Sequence, residues 1–136
     1  MTGVVIYTDG GARGNPGPAG AGAIAYEGTR KLFVIKKYLG EQTNNWAEYE
    51  ALALALSEAK KRGLAGRSIE VRMDSELVVR QINNEYQVKE ETLWPQYMKI
   101  HNLIVASFPS IHVRHIPRGE NSEADRLVNE VIDDAE

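Results

Sequence analysis

The run Val4-Val5-Ile6-Tyr7-Thr8 ends on an acid, Asp9, and opens into Gly10-Gly11-Ala12-Arg13-Gly14-Asn15-Pro16-Gly17-Pro18. A short, β-branched, apolar run reads as a fully buried strand. A carboxylate at the end of such a strand is expensive to bury without a partner. The fold must therefore supply a reason for Asp9. Three further acids stand in comparable places: Glu48 and Asp125 in the first turns of expected helices, and Asp74 at the end of an expected strand.

The remaining elements follow from periodicity and punctuation. Strands are expected over residues 4–8, 21–26, 32–38, 69–73 and 111–116, with a turn at Glu27-Gly28-Thr29. The mixed pattern with basic ends over 32–38 marks a sheet edge. Helices are expected over 45–62, 75–83, 92–106 and 121–132. The first has Trp46, Tyr49, Ala53 and Leu56 at helical spacing, Lys60-Lys61-Arg62 in its last turn and Gly63 as its stop. A strand meander followed by alternating strands and helices gives an α/β chain with a mixed sheet. The 136 residues suit a single domain, 1–136.

Each acid has a second, purely structural reading. Asp9-Gly10 resembles a hairpin turn, although strand-like alternation pauses for the whole glycine stretch, which reads as a shaped loop. Glu48 lies three residues after Asn45 and Asp125 three after Ser122, both capping-box spacings. Asp74 sits where an N-cap would. Jointly the four point elsewhere. If the two acid-ending strands are neighbours, all four acids reach one rim beyond the strand ends, where open α/β sheets bind ligands. Carboxylates crowded together resist joint ionisation without a cation. Two divalent ions about 3.5–4 Å apart form a clamp for in-line displacement at phosphorus.

The chain has no cysteine, which excludes disulfides and thiolate ligands and leaves oxygen or imidazole donors. Acid ligands favour magnesium or manganese. A net charge of −3 gives no bulk attraction to a polyanion, so a nucleic acid would have to meet a local patch. The start of the chain lacks a signal-peptide pattern and no apolar run approaches about 20 residues, so a cytoplasmic location without membrane contact is expected.

Other features carry less. Gly20-Ala21-Gly22-Ala23-Ile24-Ala25 matches a loose dinucleotide string but leads into a strand rather than a helix. Thr43-Asn44-Asn45 offers donors at a helix start, for phosphate or for capping. Trp46 and Trp94 read as packing residues, and His101 as exposed or structural. His112 and His115 read as lying on different faces of the last strand. His115 and Arg118 both flank that strand's end, near Asp125.

Tyr7-Thr8-Asp9-Gly10-Gly11 with Gly14-Asn15-Pro16-Gly17-Pro18, Thr43-Asn44-Asn45-x-Ala47-Glu48, Met73-Asp74-Ser75 and Asn121-x-x-Ala124-Asp125 together resemble the type 1 ribonuclease H family, over nearly the whole chain and in order. The resemblance implies a ribonuclease H-like fold, a five-stranded mixed sheet flanked by helices. It also implies two-metal hydrolysis of the RNA strand of an RNA/DNA hybrid, leaving a 5′-phosphate and a 3′-hydroxyl, by a monomer. Asp9 would bridge both ions, Asp125 would complete the water-activating one, and Glu48 and Asp74 would hold the other. Gly11, Arg13, Asn15, Asn44, Asn45 and Ser75 would contact substrate, with Thr43 matching a phosphate-binding threonine.

Two departures shape the expectation. The loop before Asp125 is short, where many members carry a catalytic histidine on a longer one. His115 is expected on the strand and Arg118 on the loop, as in archaeal-like members in which arginine substitutes. The basic protrusion of other members is replaced by residues 84–91, with Glu85, Glu90 and Glu91 against Lys89. Double-stranded RNA is therefore a second expected substrate. The rival readings are a non-catalytic nucleic-acid or protein binding module and a nuclease of the same fold acting on another structured nucleic acid.

Overall fold

The computed structural model describes residues 3–136. Five strands, β1 (Val4–Ala12), β2 (Gly17–Glu27), β3 (Arg30–Gln42), β4 (Ile69–Met73) and β5 (Ile111–His115), form one mixed sheet. Their order is β3-β2-β1-β4-β5. The first three strands are an antiparallel meander, and β4 and β5 join in parallel. Four helices accompany them: α1 (Asn44–Lys61), α2 (Glu76–Ile82), α3 (Trp94–Ser107) and α4 (Ser122–Ala135).

The two faces of the sheet are covered by different helices, and glycines set how closely. Successive strand residues point to opposite faces. A Cβ on Gly10 would meet the Ala47 backbone of α1 at 2.2 Å. The next residue, Gly11, faces Val128 of α4 instead. On β2, a Cβ on Gly22 would stand 2.9 Å from Ala124 O and Leu127 Cβ of α4. The Gly20-Ala21-Gly22 string is thus a helix-packing surface. Between α1 and the sheet the core closes on Ile6, Tyr49, Leu52, Leu56, Val71 and Ile100, all fully buried. Tyr49 keeps its hydroxyl satisfied there by donating to Gln81 Oε1 at 2.6 Å.

The glycine stretch differs from its expected form. Residues 10–18 read as a loop, yet β1 runs on to Ala12 and β2 begins at Gly17, leaving only residues 13–16 as the hairpin tip. Asp9 accordingly pairs with Gly22 in mid-ladder. Glycine and alanine give no alternating hydrophobic signal, so the pairing was invisible in the sequence. Asp9 does stand past the end of the parallel pairing with β4, which stops at Tyr7–Arg72.

Smaller differences have local causes. Helix α3 starts at Trp94 with Pro95 in its first turn, preceded by a 3-10 turn over Glu91–Leu93, because proline suits that position. Trp46 packs against the core as expected. Trp94, expected to pack likewise, is half exposed and donates its indole N–H to Val88 O at 2.9 Å. His101 is exposed and stacks on Tyr97, with ring centroids 6.1 Å apart. The edge position expected for β3 holds.

Candidate active site

Strand β1 and the start of α1 bring the first two acids together. The Gly10 N–H donates to Glu48 Oε1 at 2.7 Å, a contact possible only because Gly10 lets α1 lie directly on the strand. Glu48 therefore does not close a capping box. The cap is Thr43, whose Oγ1 accepts from the Trp46 N–H at 3.2 Å. Asp74 is likewise no cap, since Ser75 caps α2. The spacing that suggested a box at Ser122 also fails, because Asn121 holds the N-cap position of α4. The structural readings of Glu48, Asp74 and Asp125 are thus each replaced by a different local solution.

The parallel register places Asp74 beside Asp9, each two residues past the Tyr7–Arg72 pair. One oxygen from each of Asp9, Glu48 and Asp74 lies within 4.8 Å of the others. Asp9 and Glu48 are buried, at 7% and 6% exposure. Asp125 stands at the rim, within hydrogen-bonding reach of Asp9. Arg118, on a 3-10 turn over Arg118–Glu120, faces Asp125 at 3.7 Å with its side chain 82% exposed.

Burial and mutual repulsion dominate the electrostatics. Asp9 is pushed up to about 8, first by burial and then by the charges of Asp74 and Asp125, with Arg118 opposing. Glu48 is raised well above the usual carboxylate range by burial and by Asp9 and Asp74, against the stabilising Gly10 N–H. Buried acids crowded in this way favour a bound cation, whose charge would offset their mutual repulsion and stabilise their ionised forms.

A cleft of about 400 Å³ opens over the four acids. Gly11, Arg13, Asn44, Asn45, Ser75 and Arg118 also line it, as do Asn129 and Ile132. Asn15 and Thr43 do not line the cleft; both act as local scaffolding. Asn15 Oδ1 accepts the Asn44 N–H at 3.0 Å, and Asn44 Oδ1 accepts the Ala12 N–H at 2.8 Å, which ties the hairpin to α1. The Arg13 guanidinium is turned to α4, paired with Asp133 at 2.7 Å and with Glu136 at 3.3 Å. His115 ends β5, aligned with Met73, and does not line the cleft.

Two site residues went unassigned in the sequence. Asn129 Nδ2 donates to Asp125 O at 3.1 Å and lies 3.5 Å from its Oδ2. Its position one helical turn after Asp125 was the available signal. Asn121 is almost fully buried and donates to Thr8 O at 2.8 Å and Asp74 Oδ2 at 3.2 Å.

Comparison with known proteins supplies an independent view. A family model described as reverse transcriptase-like matches residues 7–131. A bifunctional protein of Mycobacterium tuberculosis is 40% identical over 97% of this chain, which spans only 36% of that relative's length. A ribonuclease H of Dechloromonas aromatica is 34% identical, over 96% of this chain and 94% of its own. Among solved structures, LC11-RNase H1, isolated from compost by a metagenomic approach, superposes with a TM-score of 0.94 at 49% identity, covering 99% of both chains. The same protein solved in complex with an RNA/DNA hybrid matches with a TM-score of 0.93 over 97% of this chain and 98% of that one.

Proposed function

The chain belongs to the ribonuclease H family, and on that footing we propose that it is an endoribonuclease hydrolysing the RNA strand of RNA/DNA hybrids, leaving 5′-phosphate and 3′-hydroxyl ends. The observation that carries this reading is the convergence of Asp9, Glu48 and Asp74 within 4.8 Å, with Asp125 at the rim of the same cleft. A binding module for a polyanion gains nothing from a buried negative cluster.

The cluster fits divalent metal. Its donors are all hard carboxylate oxygens, which suit magnesium or manganese. Asp9, Glu48, Asp74 and Asp125 would hold the ions. A bound pair of ions would supply activation of the attacking water and charge neutralisation at the departing 3′ oxygen. The chain's own residues do the rest. The start of α1 presents the Asn45 N–H and the side-chain amide of Asn45 in the cleft wall to backbone phosphate, aided by the helix dipole. Ser75, which also lines the cleft, adds a substrate contact. Arg118, held opposite Asp125 but solvent-exposed, presents its guanidinium to the scissile phosphate.

Hybrid is the preferred duplex because a relative of nearly identical shape was solved bound to one. Double-stranded RNA is the second substrate. Between α2 and α3 the chain carries exposed Glu85, Glu90 and Glu91 against Lys89 and no basic helix, so the segment offers little positive charge to grip a DNA strand selectively.

The test is cleavage of end-labelled hybrid, double-stranded RNA and DNA duplex with magnesium, manganese or chelator, beside Asp9→Asn. Metal-dependent cutting of the RNA strand, lost in the variant, is expected. Folded protein that binds hybrid but cuts nothing with either metal would instead favour the binding module.

A further inference from the structure

Asn121 is unusual for an asparagine at a helix start. That position normally turns the side-chain oxygen back onto the helix's free N–H groups. Here the side chain makes no capping bond, and the first turn of α4 does without it. The amide instead points beneath the carboxylate cluster and donates to Thr8 O at 2.8 Å and to Asp74 Oδ2 at 3.2 Å. Both partners are acceptors, so the NH2 group must face them. Its own oxygen, Oδ1, is buried and unpartnered among the described residues. An amide that forgoes a cap and leaves an acceptor bare is held for its donors.

Those donors reach one acid directly, Asp74, and the strand residue next to a second. Thr8 immediately precedes Asp9. Asp74 is contacted directly, and among the described residues its carboxylate accepts one side-chain hydrogen bond, this one. Separately, the main-chain carbonyl of Asn121 accepts the Asp125 N–H at 3.1 Å, the ordinary bond of the first turn of α4, so the residue that carries the amide also begins the helix that carries Asp125. Asp74 lies past the end of β4 and outside α2, so neither element's regular backbone fixes it.

We infer that Asn121 is a positioning residue, which orients the Asp74 carboxylate toward Asp9 and Glu48 and locks the β1, β4 and α4 contributions to the metal site in one arrangement. The inference rests on the metal-binding reading of the cleft. Partners that orient a metal ligand typically govern about 10–100-fold in metal affinity or activity.

The test is calorimetric titration of the full chain with manganese, for the parent, Asn121→Ala, Asn121→Ser, Asp74→Asn and the Asn121→Ala/Asp74→Asn pair, each first shown to be folded. Serine can cap α4 but cannot reach Asp74, so it guards against a variant that fails only through the helix start. Both single changes at Asn121 are expected to weaken manganese binding about tenfold or more, and hybrid cleavage should recover partly as metal is raised. In the Asp74→Asn background the Asn121 change should add little, since the group it orients is gone. A parent that binds manganese while both Asn121 variants bind it equally well overturns the positioning role and leaves the proposed function standing. Equal losses with and without the Asp74 carboxylate overturn it too, by showing a general structural effect. A folded parent that binds no manganese overturns both.

Discussion

The Gly10 N–H and the Glu48 carboxylate meet at 2.7 Å across 38 positions of sequence, joining the end of β1 to the start of α1. The bond depends on the missing side chain. A Cβ on Gly10 would press on the Ala47 carbonyl at 2.2 Å and the Glu48 N at 2.5 Å, which are backbone atoms that cannot rotate away. Gly10→Ala should therefore cost at least about 1–3 kcal/mol by overpacking and should displace Glu48 from the cluster. Urea unfolding and hybrid cleavage measure the two effects. Unchanged stability would mean that α1 can lift off β1 at no cost.

The raised Asp9 acid makes metal-free stability depend on pH. An exposed aspartate ionises near about 4, whereas Asp9 in the fold is pushed up to about 8. Between those values the folded chain keeps a proton that the unfolded chain releases, so stability falls as pH rises through the window. Glu48 is shifted in the same direction and adds to the slope. In chelator, the melting temperature of the parent should drop from pH 5 to pH 8, Asp9→Asn should drop less and melt above the parent at pH 8, and magnesium should restore the parent alone. Parallel slopes for the two proteins would remove Asp9 as the source.

Arg118 and His115 separate function from stability. The Arg118 side chain is 82% exposed and its contact with Asp125 is 3.7 Å, so the pair contributes only about 0–1 kcal/mol. Arg118→Ala should leave the melting temperature nearly unchanged while lowering kcat about tenfold or more, as expected for loss of a charge aimed at the reacting phosphate. His115→Ala should leave cleavage near the parent rate, because His115 ends β5 away from the cleft. Steady-state kinetics on hybrid decides. The reverse pattern would transfer the role to His115.

How far the sequence disclosed this site depends on the kind of signal. Helix α1 was legible almost to its ends, because Trp46, Tyr49, Ala53 and Leu56 repeat at helical spacing and Gly63 stops the run. The end of β1 was not, because Gly10 and Gly11 carry no side-chain pattern and their pairing with Ala21 and Gly20 is a tertiary fact. The four acids were identified by convergence, yet the local spacing offered a hairpin turn for Asp9 and a cap for each of Glu48, Asp74 and Asp125. Only the positions of Thr43, Ser75 and Asn121 at the helix starts decide between them. Asn121 escaped assignment because the last helix was expected to begin at it with the box at Ser122, and only the fold turns its amide to Thr8 O and Asp74. The pairing of the Arg13 guanidinium with Asp133 was not legible, because it joins residues 120 positions apart.

Asn44 and Asn45 are neighbours in the same helix start, yet they should fail differently. Asn44 spends its side-chain oxygen on the Ala12 N–H at 2.8 Å, and its own N–H is held by Asn15 Oδ1 at 3.0 Å. It is therefore part of the clamp that fixes the hairpin against α1. Asn45 lines the cleft with no comparable tie among the described residues. Asn45→Ala should raise KM for hybrid several-fold, with kcat and melting temperature close to the parent, the pattern of lost uniform binding. Asn44→Ala should lower stability by about 1 kcal/mol for the lost hydrogen bond and change both kinetic constants as the hairpin loosens. Asn15→Ala, outside the cleft, should reproduce the stability loss with a smaller kinetic effect. Thermal unfolding beside Michaelis kinetics for the three variants tests this order. An Asn45→Ala protein that melts as low as Asn44→Ala would show that the two asparagines share one structural task.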